Sequence, residues 1–332
     1  MDFMGQYRDH SIADHFEMAV HAAAVRHRMP SLAAQGLLLL TTCLRVELYG
    51  DRGAVLAQSD EVVGSPKGSL FGIDEIAQRL AEIAAGARSQ ILGESYIGEQ
   101  IGQAADLLPP GSPMRRLAAL AVQIGKEAQR QCAFFSTADY DRIVLDLANE
   151  AIGTDRIGGT LYLIGAGMLG RSILLGELPG RFNSTRIISR APKAVRKKLR
   201  GLAIPPIEIS RADNLRPVKE PDSVVVIATS DVTDTYRSTL EALFRAIEPS
   251  TIIELSSIPA FSCLPQFSGN YVNMYSEKFN RILGASNDAL ASRLEQVKGH
   301  IREAVGEALC DKADLFNGAS VQSGGQHGEV LA

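Results

Sequence analysis

Two stretches of this chain hold residue types whose spacing can do chemistry. In LYLIGAGMLGRSI, Gly165, Gly167 and Gly170 form a G-x-G-x-x-G array between a predicted strand and a predicted helix, the setting in which that array binds a dinucleotide. Gly165 permits a tight turn, Gly167 lets the backbone approach a pyrophosphate, and Gly170 lets helix and strand pack closely. The helix N-terminus adds free N–H groups and a positive dipole end. Glycines chosen only for a tight turn are the alternative, which leaves the strand context and the alternation that follows unexplained. After the next predicted strand come Ser189 and Arg190, with no acid nearby to hold a ribose 2′-hydroxyl. These two, with Lys193, can neutralise a 2′-phosphate and so favour NADPH over NADH. The second stretch is Thr-Thr-Cys43-Leu-Arg45, where a thiol at a strand end beside a cation has its pKa drawn toward the reactive thiolate. Taken alone, such a cysteine is more often a small core residue.

Positioning these groups requires two kinds of architecture. Residues 11–29 read as a helix, and LLLLTTCLRVELYG (37–50) opens as an apolar run suited to a buried strand. Helical spacing over 73–108 is broken at Gly86 and Gly93 and stopped by the Pro109–Pro113 cluster. It resumes over 114–152, the region that connects the halves. Then strands at 160–164, 185–189, 224–228 and 251–255 alternate with helices from about Met168, near 193–201 and over 238–247, which means a parallel sheet with covering helices. Leu290, Leu294, Val297, Ile301, Val305 and Leu309 recur at helical spacing in one long amphipathic helix ending near Phe316. A Gly-, Ser- and Gln-rich tail follows, and its composition predicts disorder.

Composition narrows the class. A chain of 332 residues supports two domains, and 45% hydrophobic content with a net charge of −4 excludes disorder as a whole. No apolar run reaches the roughly 18 residues a membrane span needs, and the start lacks the pattern of an export signal. Cys43, Cys132, Cys263 and Cys310 are widely spread, without metal-site or disulfide-scaffold spacing. They predict reduced thiols, a cytoplasmic location and no metal. The segment 181–200 holds eight Lys or Arg and no acid; it is either a nucleic-acid surface or a solvated helix face.

LLLLTTCLRVELYG resembles the Ser-Thr-Cys-Asn-Arg-x-Glu-x-Tyr stretch of glutamyl-tRNA reductases. RLAEIAAGARSQILGESYIGEQIGQA resembles their Gly-Leu-Asp-Ser-Leu-x-x-Gly-Glu-Pro-Gln-Ile-x-Gly-Gln block. IGAGMLG, VVVIATS, IIELSSIP and MYSEKFNRILGASNDALASRLEQV follow in that family's order, so the resemblance covers roughly residues 35–312. It implies an α/β protein with three parts: an N-terminal α+β catalytic domain (1–145), a Rossmann-type NADPH domain (146–276) and a long C-terminal connecting helix (277–315), ahead of the tail (316–332). It also implies a reaction in which Cys43 attacks the ester of glutamyl-tRNA or a related aminoacyl-tRNA. NADPH then reduces the thioester to an aldehyde such as glutamate 1-semialdehyde, on the way to tetrapyrroles, with a downstream aminomutase-type enzyme as a further partner.

The match carries substrate contacts onto Thr42, Arg45, Ser89, Glu94 and Gln100, and cofactor contacts onto Gly165, Gly167, Met168, Leu169, Gly170, Ser189, Arg190, Lys193 and Thr229. Arg45 is the natural carboxylate ligand, with an ion pair to Glu47 as the alternative. The chain departs from the pattern at Leu44, at Ser95-Tyr96 and at Arg79, which stands in the place of a histidine. A guanidinium cannot act as a base, so Arg79 is expected either to hold an oxyanion and acidify the thiol or to swing out to solvent. The short C-terminal region predicts a monomer or a non-standard dimer. A non-catalytic NADPH- or tRNA-binding paralogue is the second functional expectation.

Overall fold

The computed structural model describes residues 2–9, 15–42, 45–136, 140–153, 158–204, 206–215, 219–220, 222–229, 232–261 and 269–311. Cys43, Leu44, Cys263 and the expected disordered tail lie outside the described residues.

The leucine run at 37–40 accounts for the layering of the first domain. Successive strand side chains point to opposite faces, and accordingly Leu37 and Leu39 enter one buried cluster while Leu38 and Leu40 enter another. Strand β2 (Leu38–Thr42) pairs antiparallel with β3 (Arg45–Asp51), β3 with β1 (Phe3–Asp9), and β1 with β4 (Gly68–Phe71). Helices α1 (His15–Arg26), α2 (Met29–Ala34) and α3 (Arg52–Val62) cover one face. Helices α4 (Gly72–Ala84), α5 (Tyr96–Asp106) and α6 (Pro113–Gln131) cover the other. Covering both faces removes the polar alternation that usually marks an antiparallel strand. Asp51 caps α3 by accepting from the Gly53 and Ala54 N–H groups at 3.0 and 3.4 Å. The central strand β1 has no counterpart in the sequence reading, because FMGQYRD mixes Gly, Gln and Arg into the run and hides its period.

The second domain is a six-stranded all-parallel sheet. Around β5 (Thr160–Ile164) lie β6 (Ser184–Ile188) and β7 (Ile207–Ser210) on one side, and β8 (Val224–Ile227), β9 (Thr251–Glu254) and β10 (Asn270–Asn273) on the other. The order β7-β6-β5-β8-β9-β10 is the doubly wound Rossmann arrangement, with its switch point between β5 and β8. Helices α7 (Tyr140–Ile152), α8 (Met168–Leu175) and α9 (Pro192–Leu199) share one core with the sheet, and α10 (Asp234–Ile247) packs on the other face. The apolar side of α7, with Tyr140, Ile143, Val144 and Leu147, belongs to this second core. The domain boundary therefore falls before Tyr140, ahead of the expected 145.

Helix α11 (Glu277–Asp311) joins the two. Phe279 and Leu283 enter the second core, while Leu290, Val297, Ile301 and Val305 enter the first, against α4 and α6. Its apolar stripe is thus buried within the chain. Among the described residues no helix is long and apolar enough to cross a membrane.

Candidate active site

Thr42 and Arg45 are partners at the last register position of the β2–β3 hairpin and bracket positions 43 and 44. The expected nucleophile Cys43 lies outside the described residues. Arg45, 3% exposed, donates from Nη2 to the Arg88 carbonyl oxygen, yet its Nε and Nη1 have no hydrogen-bond partner among the described residues. The ion pair with Glu47 exists only at 4.0 Å from Nε. Cys132 is no alternative nucleophile: it is buried away from the cavity described below, and burial pushes its thiol up.

Glu47 is distant from Arg45 because Arg79 holds it. From α4, Arg79 donates Nε to Glu47 Oε2 at 3.1 Å and Nη2 to Glu47 Oε1 at 2.8 Å, and Nη2 also reaches Asp9 Oδ2 at 3.0 Å. Its guanidinium sits 3.5 Å over the Tyr7 ring, and Tyr49 donates its hydroxyl to Glu47. Burial works to raise the Glu47 and Asp9 carboxyls, but Arg79, helped by Arg45, holds both below the usual range. This corrects both expectations for Arg79. It neither lines the cavity nor swings to solvent, because two carboxylates and an aromatic face consume its charge and donors inside the domain.

The loop after α4 supplies the next wall. Gly93, at φ +73°, turns where a side chain would run into the Phe134 carbonyl oxygen at 2.7 Å, and its N–H closes the loop on the Gly86 oxygen at 3.2 Å. The loop is pinned from behind by α11: Asn287 Oδ1 accepts from the Leu92 N–H at 2.9 Å and Nδ2 donates to the Gln90 oxygen at 2.8 Å. Ser89, Gln90 and Glu94 thereby line the cavity with Thr42, Arg45 and Gln100. Burial raises the Glu94 carboxyl above its ordinary value, and the facing Ser89 and Arg45 only partly offset this. Gln90 and Asn287 are missing from the sequence reading. The signal for Gln90 was a polar residue at the second Leu of the Gly-Leu-Asp-Ser-Leu motif. Asn287 gave none, because its partners are 195 and 197 residues away.

The opposite wall belongs to the second domain. Met168, Leu169, Thr229 and Ser256 close a cavity of about 630 Å³ whose other side is the first-domain set just described. Gly165 stands at the end of β5 with φ +97°, where a Cβ would meet Thr229 Cβ at 2.9 Å and the Ala228 oxygen at 3.0 Å. A Cβ on Gly170 would strike the Gly165 oxygen at 2.4 Å, whereas the space beside Gly167, the N-cap of α8, is open to 4 Å. Close packing at two glycines and clearance at the third fit a pyrophosphate lying on the helix N-terminus. Farther along the same edge, Ser189, Arg190, Arg211, Asp213, Tyr236 and Thr239 line a second hollow of about 180 Å³. Arg190 stacks 5.3 Å from the Tyr236 ring centre, and Arg211 pairs with Asp213 at 3.0 Å. This charge fits a 2′-phosphate. Lys193 is exposed on α9 and lines neither hollow. In the basic segment, Arg186 is used by Glu208 and Glu220, and Arg196 by the Ile209 oxygen, so only part of it is a free surface.

No protein-family model matches the chain. It is 35% identical to Protein nfe2 of Rhizobium meliloti over 313 residues, which is 93% of this chain and 99% of that one. It is 25% identical to a glutamyl-tRNA reductase of Ignicoccus hospitalis over 285 residues, 80% of this chain but 62% of that enzyme's length. Among solved structures, the glutamyl-tRNA reductase from Methanopyrus kandleri aligns over 92% of this chain and 80% of its own, at 21% identity and a TM-score of 0.44.

Proposed function

The chain belongs to the family of Protein nfe2, a diverged branch of the glutamyl-tRNA reductase-like proteins, and on that premise we propose that it is an NADPH-dependent reductase of an activated acyl ester. The ester would be an aminoacyl-tRNA, glutamyl-tRNA or a related one, handled through a Cys43 thioester. One observation carries this reading: the hairpin that brackets Cys43 and the glycine-rich turn of the nucleotide fold open on the same cavity.

The residues divide the work by their chemistry. The positive charge of Arg45 favours a thiolate at its neighbour, and the thiolate is the nucleophile. Attack on the ester carbonyl forms the carbon–sulfur bond, breaks the carbon–oxygen bond and releases the tRNA hydroxyl. NADPH, when bound along the Gly165–Gly170 turn, supplies the hydride that turns the thioester into an aldehyde and returns the thiolate. The unmatched Nε and Nη1 of Arg45 are available to an oxygen of the acyl group. Glu94, held above the usual carboxylate range by burial, keeps its proton to higher pH and can donate it to the departing oxygen. Ser189 and Arg190 hold the 2′-phosphate.

A second reading, a non-catalytic NADPH- or tRNA-binding paralogue, is favoured by Arg79, which stands in the histidine's place but is tied to Glu47 and Asp9 outside the cavity. Incubation with labelled aminoacyl-tRNAs and trapping of a covalent adduct separates the two. The reductase reading expects an adduct on the wild type that Cys43→Ser loses and NADPH discharges. NADPH binding without an adduct from any aminoacyl-tRNA leaves the second.

A further inference from the structure

Gln90 stands in the cavity wall beside Arg45, Ser89 and Glu94, and both ends of its side-chain amide, Nε2 and Oε1, are shut off from solvent without a hydrogen-bond partner among the described residues. A buried amide left unmatched at both ends costs stability, and native proteins retain such groups chiefly where something else completes them. Since both ends are unmatched, the conclusion holds whichever end is nitrogen. Rotation of the loop cannot relieve the group, because Asn287 clamps the Gln90 oxygen at 2.8 Å and the Leu92 N–H at 2.9 Å. A primary carboxamide offers one N–H and one C=O side by side in a plane and can match both ends of Gln90 together. A carboxylate offers only acceptors and an alkyl group neither.

Resting on the reading of the cavity as an acyl site, we propose that Gln90 is a specificity-determining residue that reads a carboxamide on the acyl side chain through one donated and one accepted hydrogen bond. The test uses the full chain and the amino alcohols of glutamine, glutamate and norleucine, whose side chains end in a carboxamide, a carboxylate and a methyl group. None has a carbonyl for a thiol to attack, so binding is read apart from chemistry. Dissociation constants come from saturation-transfer NMR titrations. The glutamine probe is expected to bind the wild type about tenfold more tightly than the norleucine probe, the scale of two neutral hydrogen bonds. Gln90→Leu should erase that margin while leaving the glutamate and norleucine probes unchanged. Its unfolding temperature should stay the same or rise, since no internal hydrogen bond is lost. Gln90→Glu, which keeps only acceptors, should retain part of the margin. An equal effect of Gln90→Leu on all three probes, no effect on any, or binding of none overturns the inference. If a Cys43 adduct still forms, the reductase reading stands without it; if the margin appears but no adduct forms, the reductase reading falls instead.

Discussion

Arg45 and Arg79 are 3% and 4% exposed and converge on the same face of one sheet, yet their surroundings are opposite. Arg79 meets two carboxylates and an aromatic ring, so the desolvation of its charge is offset inside the domain. Arg45 keeps one carbonyl oxygen and a carboxylate at 4.0 Å, with two nitrogens unmatched. A buried ion whose partners are complete belongs to the scaffold. One whose partners are incomplete beside a cavity is arranged for a ligand. By residue type alone both arginines were candidates for handling substrate charge, and only the placement of Glu47 separates them.

The largest expected effect tests the satisfied member. Arg79→Met strands Glu47 as a buried charge and should cost about 3–5 kcal/mol, read as a lower urea midpoint. Arg79→His should also lose stability, because one imidazole cannot reach both Glu47 and Asp9. Next, Arg190→Asp replaces a donor left for a phosphate by a charge that repels it. Titration calorimetry should show NADPH binding weakened by about 1.5–3 kcal/mol and the preference moved to NADH, whereas equal wild-type binding of both cofactors would remove the 2′-phosphate reading. Asn287→Ala removes two hydrogen bonds to the cavity loop and should cost about 1–2 kcal/mol, with faster hydrogen exchange at the Leu92 amide. Arg45→Met should change stability by less than about 1 kcal/mol while lowering affinity for a carboxylate-bearing probe; a loss as large as that of Arg79→Met would erase the contrast between the two arginines.

The smallest effect is a pH dependence that separates the carboxyls. Glu47 and Asp9 have folded values below their ordinary ones, so the stability they contribute is present above those values and is lost as pH falls through the folded ones. Glu94 is raised above 4.5, so its contribution is full below that pH and is lost as pH rises through the folded value. Thermal unfolding across pH should therefore show Glu94→Gln removing a decline above 4.5 while leaving the acid limb in place. An unchanged alkaline side would mean that Glu94 is not held in a desolvated wall.

Periodicity and local steric rules made much of the fold legible. The alternation after residue 160 identified β5, α8, β6, α9, β8, α10 and β9 nearly to their ends, because each has its own apolar period. The glycine array located the nucleotide turn, since the φ of Gly165 and the clearance at Gly167 are demands on the residues themselves. Strands β1, β7 and β10 stayed illegible: at four to seven residues, with mixed polarity, they are strands only because a neighbour supplies the ladder. Which charges are spent and which are left was equally out of reach. Arg79 and Glu47 are 32 residues apart, Asp9 and Arg79 are 70 apart, and Asn287 meets its loop across nearly 200. Sequence by itself determined the residue types, the local turns and the α/β alternation, which depend on neighbours within a few positions. Only the tertiary structure decided that Arg79 is scaffold, that Arg45 and Gln90 face a cavity, and that this cavity is shared with the nucleotide domain, because burial and hydrogen-bond completion depend on distant segments meeting in space.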